Sequence, residues 1–277
     1  MIKIMITVRN RLSITRKCIQ ALMKHSTMRN QIYVYDNLTS HKLDDHFNYF
    51  HKLYSKGLIT QVTFNTSHST FNAFSKAVAC NQFGHLHEDD PDKDKYNFLV
   101  FLDNDIIVTP GWDGILHAAW KDVKKHDDLK KDIKVVGQLP GGIKNKQVYK
   151  HPIAGRVGKI GKLGGSGLWS VQPNFFRDVG YLDLNRLVNH NKKHDQSYWQ
   201  SMEKRTNGRP YILGVDEKIG FHCGSIAGSV CNVLTRDKGT PQLMEKIKFA
   251  EAEEKIDKMN FDEFYKMVET KIGMNGW

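Results

Sequence analysis

Short apolar runs alternate along this chain with longer segments whose apolar residues recur every three or four positions. IKIMITV (2–8) is apolar almost throughout and β-branched, which reads as a strand. Residues 13–25 then place Ile14, Cys18 and Leu22 at helical spacing, with Ser13 as an N-cap. QIYVYDN (31–37), LITQVTFN (58–65) and YNFLVFLD (96–103) repeat the strand pattern. Between them, 41–55 puts Leu43, Phe47, Phe50 and Leu53 on one helical side, and 69–83 gives a third helix. HLHEDDPDKDK (85–95) is charged and holds a proline, so it is expected as an exposed loop. Beyond it, Gly111-Trp112 opens a helix running to Lys131, and KVVGQL (134–139) is another strand. Residues 141–162 read as a hairpin or long loop, 163–183 as a glycine-rich strand followed by a short helix from Pro173, and 195–207 as a helix. Short strands close the series within 211–224. Residues 240–272 give two helices broken near Asn260, with Asp262 as the cap of the second.

Strands alternating with helices at this spacing predict βαβ units, hence an α/β protein with a mostly parallel central sheet flanked by helices. The expected division is a catalytic domain over 1–235 and a C-terminal helical extension over 236–277. In such sheets ligands bind beyond the carboxyl ends of the strands. Those ends are Thr7-Val8-Arg9-Asn10, Asp36-Asn37, Asn65 and Asp103-Asn104-Asp105, all rich in polar groups. The first strand is followed by no GxGxxG, and no GxxxxGK[ST] occurs, which removes the dinucleotide-fold and P-loop readings.

Composition adds two constraints. With 40% hydrophobic and 26% charged residues the chain is an ordinary globular one, and its apolar runs fall far short of a membrane span. No leader pattern opens it and no CxxC pair occurs among Cys18, Cys80, Cys223 and Cys231, so a soluble cytoplasmic protein with reduced thiols is expected, in a bacterium or a phage-infected cell. The net charge is +11, and it is uneven: residues 240–277 hold 6 lysines against 8 acids. The excess therefore lies in the main domain, and 141–162 carries Lys144, Lys146, Lys150, Arg156, Lys159 and Lys162 with no acid. Such a stretch is either a solvated face or a surface for a polyanion.

Asp103 and Asp105 close an apolar strand, where two like charges resist burial. If the chain stays extended, both face one side and Asn104 the other. Two carboxylates at a solvent-facing edge suit a hard divalent cation, which takes its remaining ligands from water and substrate phosphates.

Seven segments in this order resemble the GT-A glycosyltransferases, in particular the family-2-like branch that uses nucleotide sugars. They are Thr7-Val8-Arg9-Asn10-Arg11, Asp36, Asn65-Thr66-Ser67 with Phe71-Asn72-Ala73, and Asp103-Asn104-Asp105 as a DxD motif. Gly164-Gly165-Ser166-Gly167 with Gly180-Tyr181-Leu182-Asp183, His194-Asp195 before Tyr198-Trp199, and His222-Cys223-Gly224 complete them, so the likeness covers 2–225. The chain departs from the family at Ser67, where the family has glycine, at Phe71, where it has arginine, and at His194, where it has an acid.

The resemblance implies a GT-A (Rossmann-like) fold and transfer of a sugar from a nucleoside diphosphate, a UDP-sugar foremost, to a hydroxyl acceptor. It implies Mn²⁺ or Mg²⁺ on Asp103, Asp105 and His222. Donor contacts would fall to Thr7, Val8, Arg9, Asp36, Asn72, Asn104, Gly164 and Gly165, with Asp36 on the base and Asp103 shared between metal and ribose. Asp195 would be the general base. Ser166, Trp169, Tyr198 and Trp199 would line the acceptor side, joined by Lys144, Lys146, Lys150 and Arg156. A cell-envelope glycan is one acceptor. The basic excess also fits double-stranded DNA and a phage-type enzyme that sugars hydroxymethylated pyrimidines. A non-catalytic nucleotide-sugar binding module is the alternative from another class.

Overall fold

The computed structural model describes residues 1–37, 43–65, 72–138, 156–159, 167–182, 184, 211–223 and 243–273. Four parallel strands form its first half: β1 (Ile2–Val8), β2 (Asn30–Asn37), β3 (Gln61–Asn65) and β4 (Leu99–Asp103). They are joined by α1 (Leu12–His25), α2 (Leu43–Ser55) and α3 (Asn72–Glu88). The chain continues through β5 (Ile106–Val108), α4 (Trp112–Lys125), α5 (Asp127–Asp132), β6 (Ile133–Gly137), β7 (Arg156–Lys159), β8 (Leu168–Val171) and α6 (Phe175–Val179). It ends with β9 (Tyr211–Gly214), β10 (Gly220–His222), α7 (Leu243–Lys258) and α8 (Phe261–Gly273).

Among the described residues the main sheet has eight strands in the order β3-β2-β1-β4-β8-β6-β9-β7, and β5 pairs with β10 in a separate ribbon. β8 and β7 run against the other strands, so the sheet is mostly parallel, as the alternation predicted. Strand order reverses between β1 and β4, since β1 leads to β2 on one side while β4 lies on the other. That reversal opens a crevice at the carboxyl ends of the two strands.

Period-two alternation sorts the strand residues to two faces. Ile4, Ile6 and Val8 of β1 join Ile14, Ile19 and Leu22 of α1 and Phe50 of α2 in one apolar cluster. Met5 of β1 and Phe101 of β4 face the other way, against Ala77 and Phe83 of α3 and Phe176 of α6. Both faces of the sheet are therefore covered, which is why β1 and β4 read as continuous apolar runs.

The C-terminal helices belong to the first of these clusters through Ile256, Phe264 and Val268. Ser13 Oγ donates to Glu253 Oε1 at 2.8 Å, and Lys17 Nζ to the Met259 carbonyl at 2.5 Å. The break between α7 and α8 falls near Asn260 as expected, but Asp262 does not cap the second helix. Asn260 does: its Oδ1 accepts the Glu263 N–H at 2.9 Å and Glu263 Oε2 accepts the Asn260 N–H at 3.1 Å, a reciprocal capping box. Asp262 instead meets Lys24 across the helix pair. The proposed boundary at 235/236 lies outside the described residues.

Several elements differ from the sequence reading. The helix expected from 112 to 131 is two, because His126 adopts an extended conformation between α4 and α5. The strand β5 escaped notice, since three residues after an acidic turn carry too little periodicity to register. Residues 85–95 are largely exposed, as expected, but they are not a free loop: α3 continues to Glu88, and a 3₁₀ turn spans Lys93–Lys95. The cause is Lys3. It points from β1 to the α3 face, is 1% exposed, and its Nζ donates to Asp90 Oδ2 at 2.9 Å and to the Leu86 carbonyl at 3.4 Å. The rings of Tyr33 and Tyr96 flank the ammonium. Tyr96 also donates to Asp90 at 3.0 Å, so this acidic segment is tied down as the counter-charge of a buried lysine.

Burial pushes the Lys3 ammonium below its ordinary pKa against the pull of Asp90. Burial works against Asp90 as well, but hydrogen bonds from Lys3, the Asp92 N–H and Tyr96 hold its carboxyl below the usual 3.8. Asp90→Asn should therefore destabilise the fold by about 3 kcal/mol, because it strands a buried charge, whereas the double change with Lys3→Met should recover most of that loss. A depressed carboxyl stabilises above its unfolded pKa and loses that effect below its folded one. The difference in melting temperature between wild type and Asp90→Asn should thus be full above pH 3.8 and shrink as the pH falls below it.

Candidate functional site

The crevice between β1 and β4 is lined from several directions. Thr7 and Asp103 are register partners at the ends of β1 and β4, and both face α3. Thr7 Oγ1 donates to Asp103 Oδ1 at 3.2 Å, and Lys76 of α3 reaches the same oxygen at 2.5 Å. The Asp103 N–H donates to the Gly167 carbonyl at 2.8 Å. A side chain on Gly167 would meet Ile106 Cδ1 at 2.7 Å and Asp103 Oδ2 at 3.2 Å, so the missing Cβ is what lets this backbone lie beside the acid.

After Asp103 the chain turns rather than staying extended, so the two acids meet different partners. Asp105 is buried and its Oδ2 is held by Arg11 Nη1. His222 Nε2 stands 3.5 Å from the same oxygen. The β5–β10 ribbon brings that histidine in by pairing His222 with Ile106, and the Cys223 N–H donates to the Asp105 carbonyl at 2.7 Å. The expected set of Asp103, Asp105 and His222 is therefore not gathered as one cluster. Among the described residues no group of three or more metal-ligating side chains is. The donor chemistry of the remaining two still fits a divalent ion: a carboxylate oxygen and an imidazole nitrogen a few ångströms apart can be neighbouring ligands, with phosphate oxygens and water supplying the rest.

The turn that carries Arg11 is a strained one. Asn10 and Arg11 both adopt left-handed backbone, at φ 54° and 58°, a region that Asn enters readily but Arg rarely does. Asn104 offsets that strain. Expected among the donor-binding residues, it is instead turned inward, and its Nδ2 donates to the Asn10 carbonyl at 3.1 Å and to Thr15 Oγ1 at 2.8 Å. Thr15 in turn donates through its N–H and its Oγ1 to the Arg11 carbonyl, both at 2.9 Å. The middle residue of the acidic motif is thus a tie between the two loops of the crevice.

Asp36 lies at the end of β2 on the α1–α2 face, in register with Val8 and Phe64. It is fully buried, and its Oδ2 accepts from His46 Nδ1 of α2 at 2.8 Å. Val8 is buried beside it, and Arg9 is half-buried. Trp169 does not line an acceptor surface. It is 2% exposed and stacks on its cross-strand partner Phe101, with centroids 3.9 Å apart, because β8 sits between two strands. Beneath the acids lie Cys18 and Cys223, buried thiols whose pKa is raised by burial and by the nearby carboxylates; neither is an available nucleophile.

Lys144, Lys146, Lys150, Gly164, Gly165, Ser166, Asp195, Tyr198 and Trp199 lie outside the described residues. The side chains of Asn72 and Arg156 do too; Arg156 itself begins β7, opposite Gly214 of β9. Sequence reasoning missed Lys76, His46 and the role of Arg11. Arg11 stood in the motif already quoted, whereas Lys76 and His46 sit on helices where one basic residue looks like any other.

No protein-family model matches this sequence, and no curated protein does. Solved structures do. The mannosyltransferase PcManGT from Pyrobaculum calidifontis, in complex with GDP-Man and Mn²⁺, aligns at a TM-score of 0.50 and 10% identity, over 91% of this chain and 68% of that one. S. aureus TarS 1–349 aligns at 0.48 and 13%, over 91% of this chain and 70% of that fragment. GalNAc-T7 with UDP, GalNAc and Mn²⁺ aligns at 0.46 and 14%, over 76% and 41%. The chain spans 42% of the longer TarS chain. What the alignment with PcManGT shows is a common fold, a GT-A-type mostly parallel sheet flanked by helices.

Asn104→Ala should lower the unfolding free energy by about 1–3 kcal/mol, since it leaves buried polar groups unpaired. Urea denaturation measures it.

Proposed function

We propose that this chain is a glycosyltransferase that moves a sugar from a nucleoside-diphosphate sugar, a UDP-sugar foremost, to a hydroxyl acceptor. The observation that carries this reading is the convergence of Asp103, Asp105, Lys76, Arg11 and His222 on the one crevice where strand order reverses. Such a crevice is where open α/β sheets bind nucleotides. Its cations and carboxylates are paired with each other, a charge balance that an anionic diphosphate and a counter-cation can exchange into. Asp105 and His222 would hold Mn²⁺ or Mg²⁺, which would supply Lewis-acid stabilisation of the charge on the departing diphosphate.

The chain's own groups divide the remaining work. Thr7 holds Asp103 in place, and Lys76 and Arg11 carry positive charge at the strand ends, where a diphosphate would lie. Asp36 is assigned to the base. Asp195 is assigned as the general base that takes the acceptor proton. Gly164, Gly165, Ser166, Tyr198 and Trp199 are assigned to the sugar and acceptor side. A glycan hydroxyl of a cell-envelope polymer is the favoured acceptor. The acid-free basic run at 141–162 supports a second reading, in which Lys144, Lys146, Lys150 and Arg156 meet the phosphates of hydroxymethylated DNA.

A panel of nucleotide sugars assayed with and without Mn²⁺ tests the proposal. One donor should turn over, chelation should stop it, and Asp105→Ala should lower kcat/KM by about 100-fold or more, a loss of about 3 kcal/mol. Tight nucleotide binding without turnover on any donor would leave the non-catalytic module. For the DNA reading, binding to hydroxymethylated duplex should weaken about tenfold or more between 50 and 200 mM salt; affinity indifferent to salt would exclude it.

A further inference from the structure

Asp36 is an asymmetric carboxylate. One oxygen, Oδ2, is tied to His46 Nδ1 at 2.8 Å, and the other, Oδ1, is buried with no hydrogen-bond partner among the described residues. Buried charged oxygens without a donor are rare and unfavourable, and each asks for an explanation. Packing does not supply one, because the register neighbours of Asp36 in the sheet are Val8 and Phe64, where an apolar residue would cost less.

His46 is itself held firmly. It is 5% exposed, stands in the first turn of α2, and packs edge-on against Phe50, with centroids 6.2 Å apart. With the ring fixed, its Nδ1–H selects which carboxylate oxygen it binds, and so fixes the direction in which the other one accepts. An acceptor-only group of fixed direction recognises an N–H and rejects a ring nitrogen that is itself an acceptor.

We propose that His46 is a positioning residue that orients Asp36 so that Oδ1 accepts the ring N–H of the donor's base. This rests on the nucleotide-sugar reading above and deepens it. The site takes bases with an imide- or lactam-type N–H, at N3 of uracil or N1 of guanine. It discriminates against cytosine and adenine, which carry a bare acceptor nitrogen at the equivalent edge.

Calorimetric titration of the full chain with UDP and with N3-methyl-UDP tests this, with GDP and N1-methyl-GDP run in parallel. The wild type should prefer the unmethylated form of the nucleotide it binds by about tenfold or more, the worth of one hydrogen bond to a charged acceptor. His46→Leu should bring that ratio close to unity while leaving affinity for the methylated form unchanged. His46→Asn, whose amide nitrogen stands near the position of Nδ1, should restore the preference. A wild type that binds nucleotide without discrimination overturns the assignment of Asp36, and one that binds none overturns the nucleotide-sugar reading. Full discrimination in His46→Leu overturns the role of His46 alone. A measurement without variants covers the case of misfolding: the His46 Nδ1–H proton resonance should shift with UDP or GDP and stay in place with the methylated form. No difference between the two forms would also sink the positioning role.

Discussion

The structure around the crevice depends on how two carboxylates at the end of a buried strand are neutralised. Asp103 ends β4 and Asp105 sits in the turn just before β5, two strands whose residues are buried on both faces. Leaving such charges uncompensated would be far more costly than any single packing contact could offset. The fold answers by bringing a cation to each from a different direction: Lys76 from α3 and Arg11 from the turn before α1, with His222 arriving on the β5–β10 ribbon. Each of these is separated from the acids by a different stretch of chain. The pairing can exist only once the parallel sheet, its two helical layers and the late ribbon are all in place.

The same logic recurs at the opposite end of the sheet. Lys3 enters the α3 face because β1 alternates, and there it meets Asp90, Tyr33 and Tyr96. A sheet with a charged group buried at each end has few alternative registers, since a slip of one residue would send Lys3 and Thr7 into the apolar cluster of α1. The polar positions of β1 thus specify its pairing, while Ile4, Ile6 and Val8 supply the burial that holds it.

The strained turn at Asn10 and Arg11 connects these constraints to function. A left-handed pair is unfavourable by itself and persists because Asn104, Thr15 and Asp105 hold it from three sides. Strain of this kind collects where a side chain must be aimed. Here it aims a guanidinium at the buried Asp105, so the backbone geometry and the charge balance of the crevice are one feature. The acidic motif divides its labour accordingly: its outer residues carry charge, and its middle residue fastens the loops.

The local pattern alone determined the α/β class, the mostly parallel first half of the sheet, both C-terminal helices and the acidic strand end, because those follow from the period of apolar positions and from the chemistry of adjacent residues. Asp103 and Asp105 could be named from their own segment for the same reason, whereas His222 came only from the family resemblance of His222-Cys223-Gly224. Tertiary structure decided which of them meet. It separated Asp103 from the Asp105–His222 pair by turning the chain after β4, sent Asn104 inward and Trp169 into the core, and turned an acidic loop into the partner of a buried lysine. It also recruited Lys76 and His46, whose local sequences give no reason to single them out. Periodicity reports which face a residue occupies, but charge pairing depends on which distant residue occupies the facing position, and that is settled only when the strands are in register.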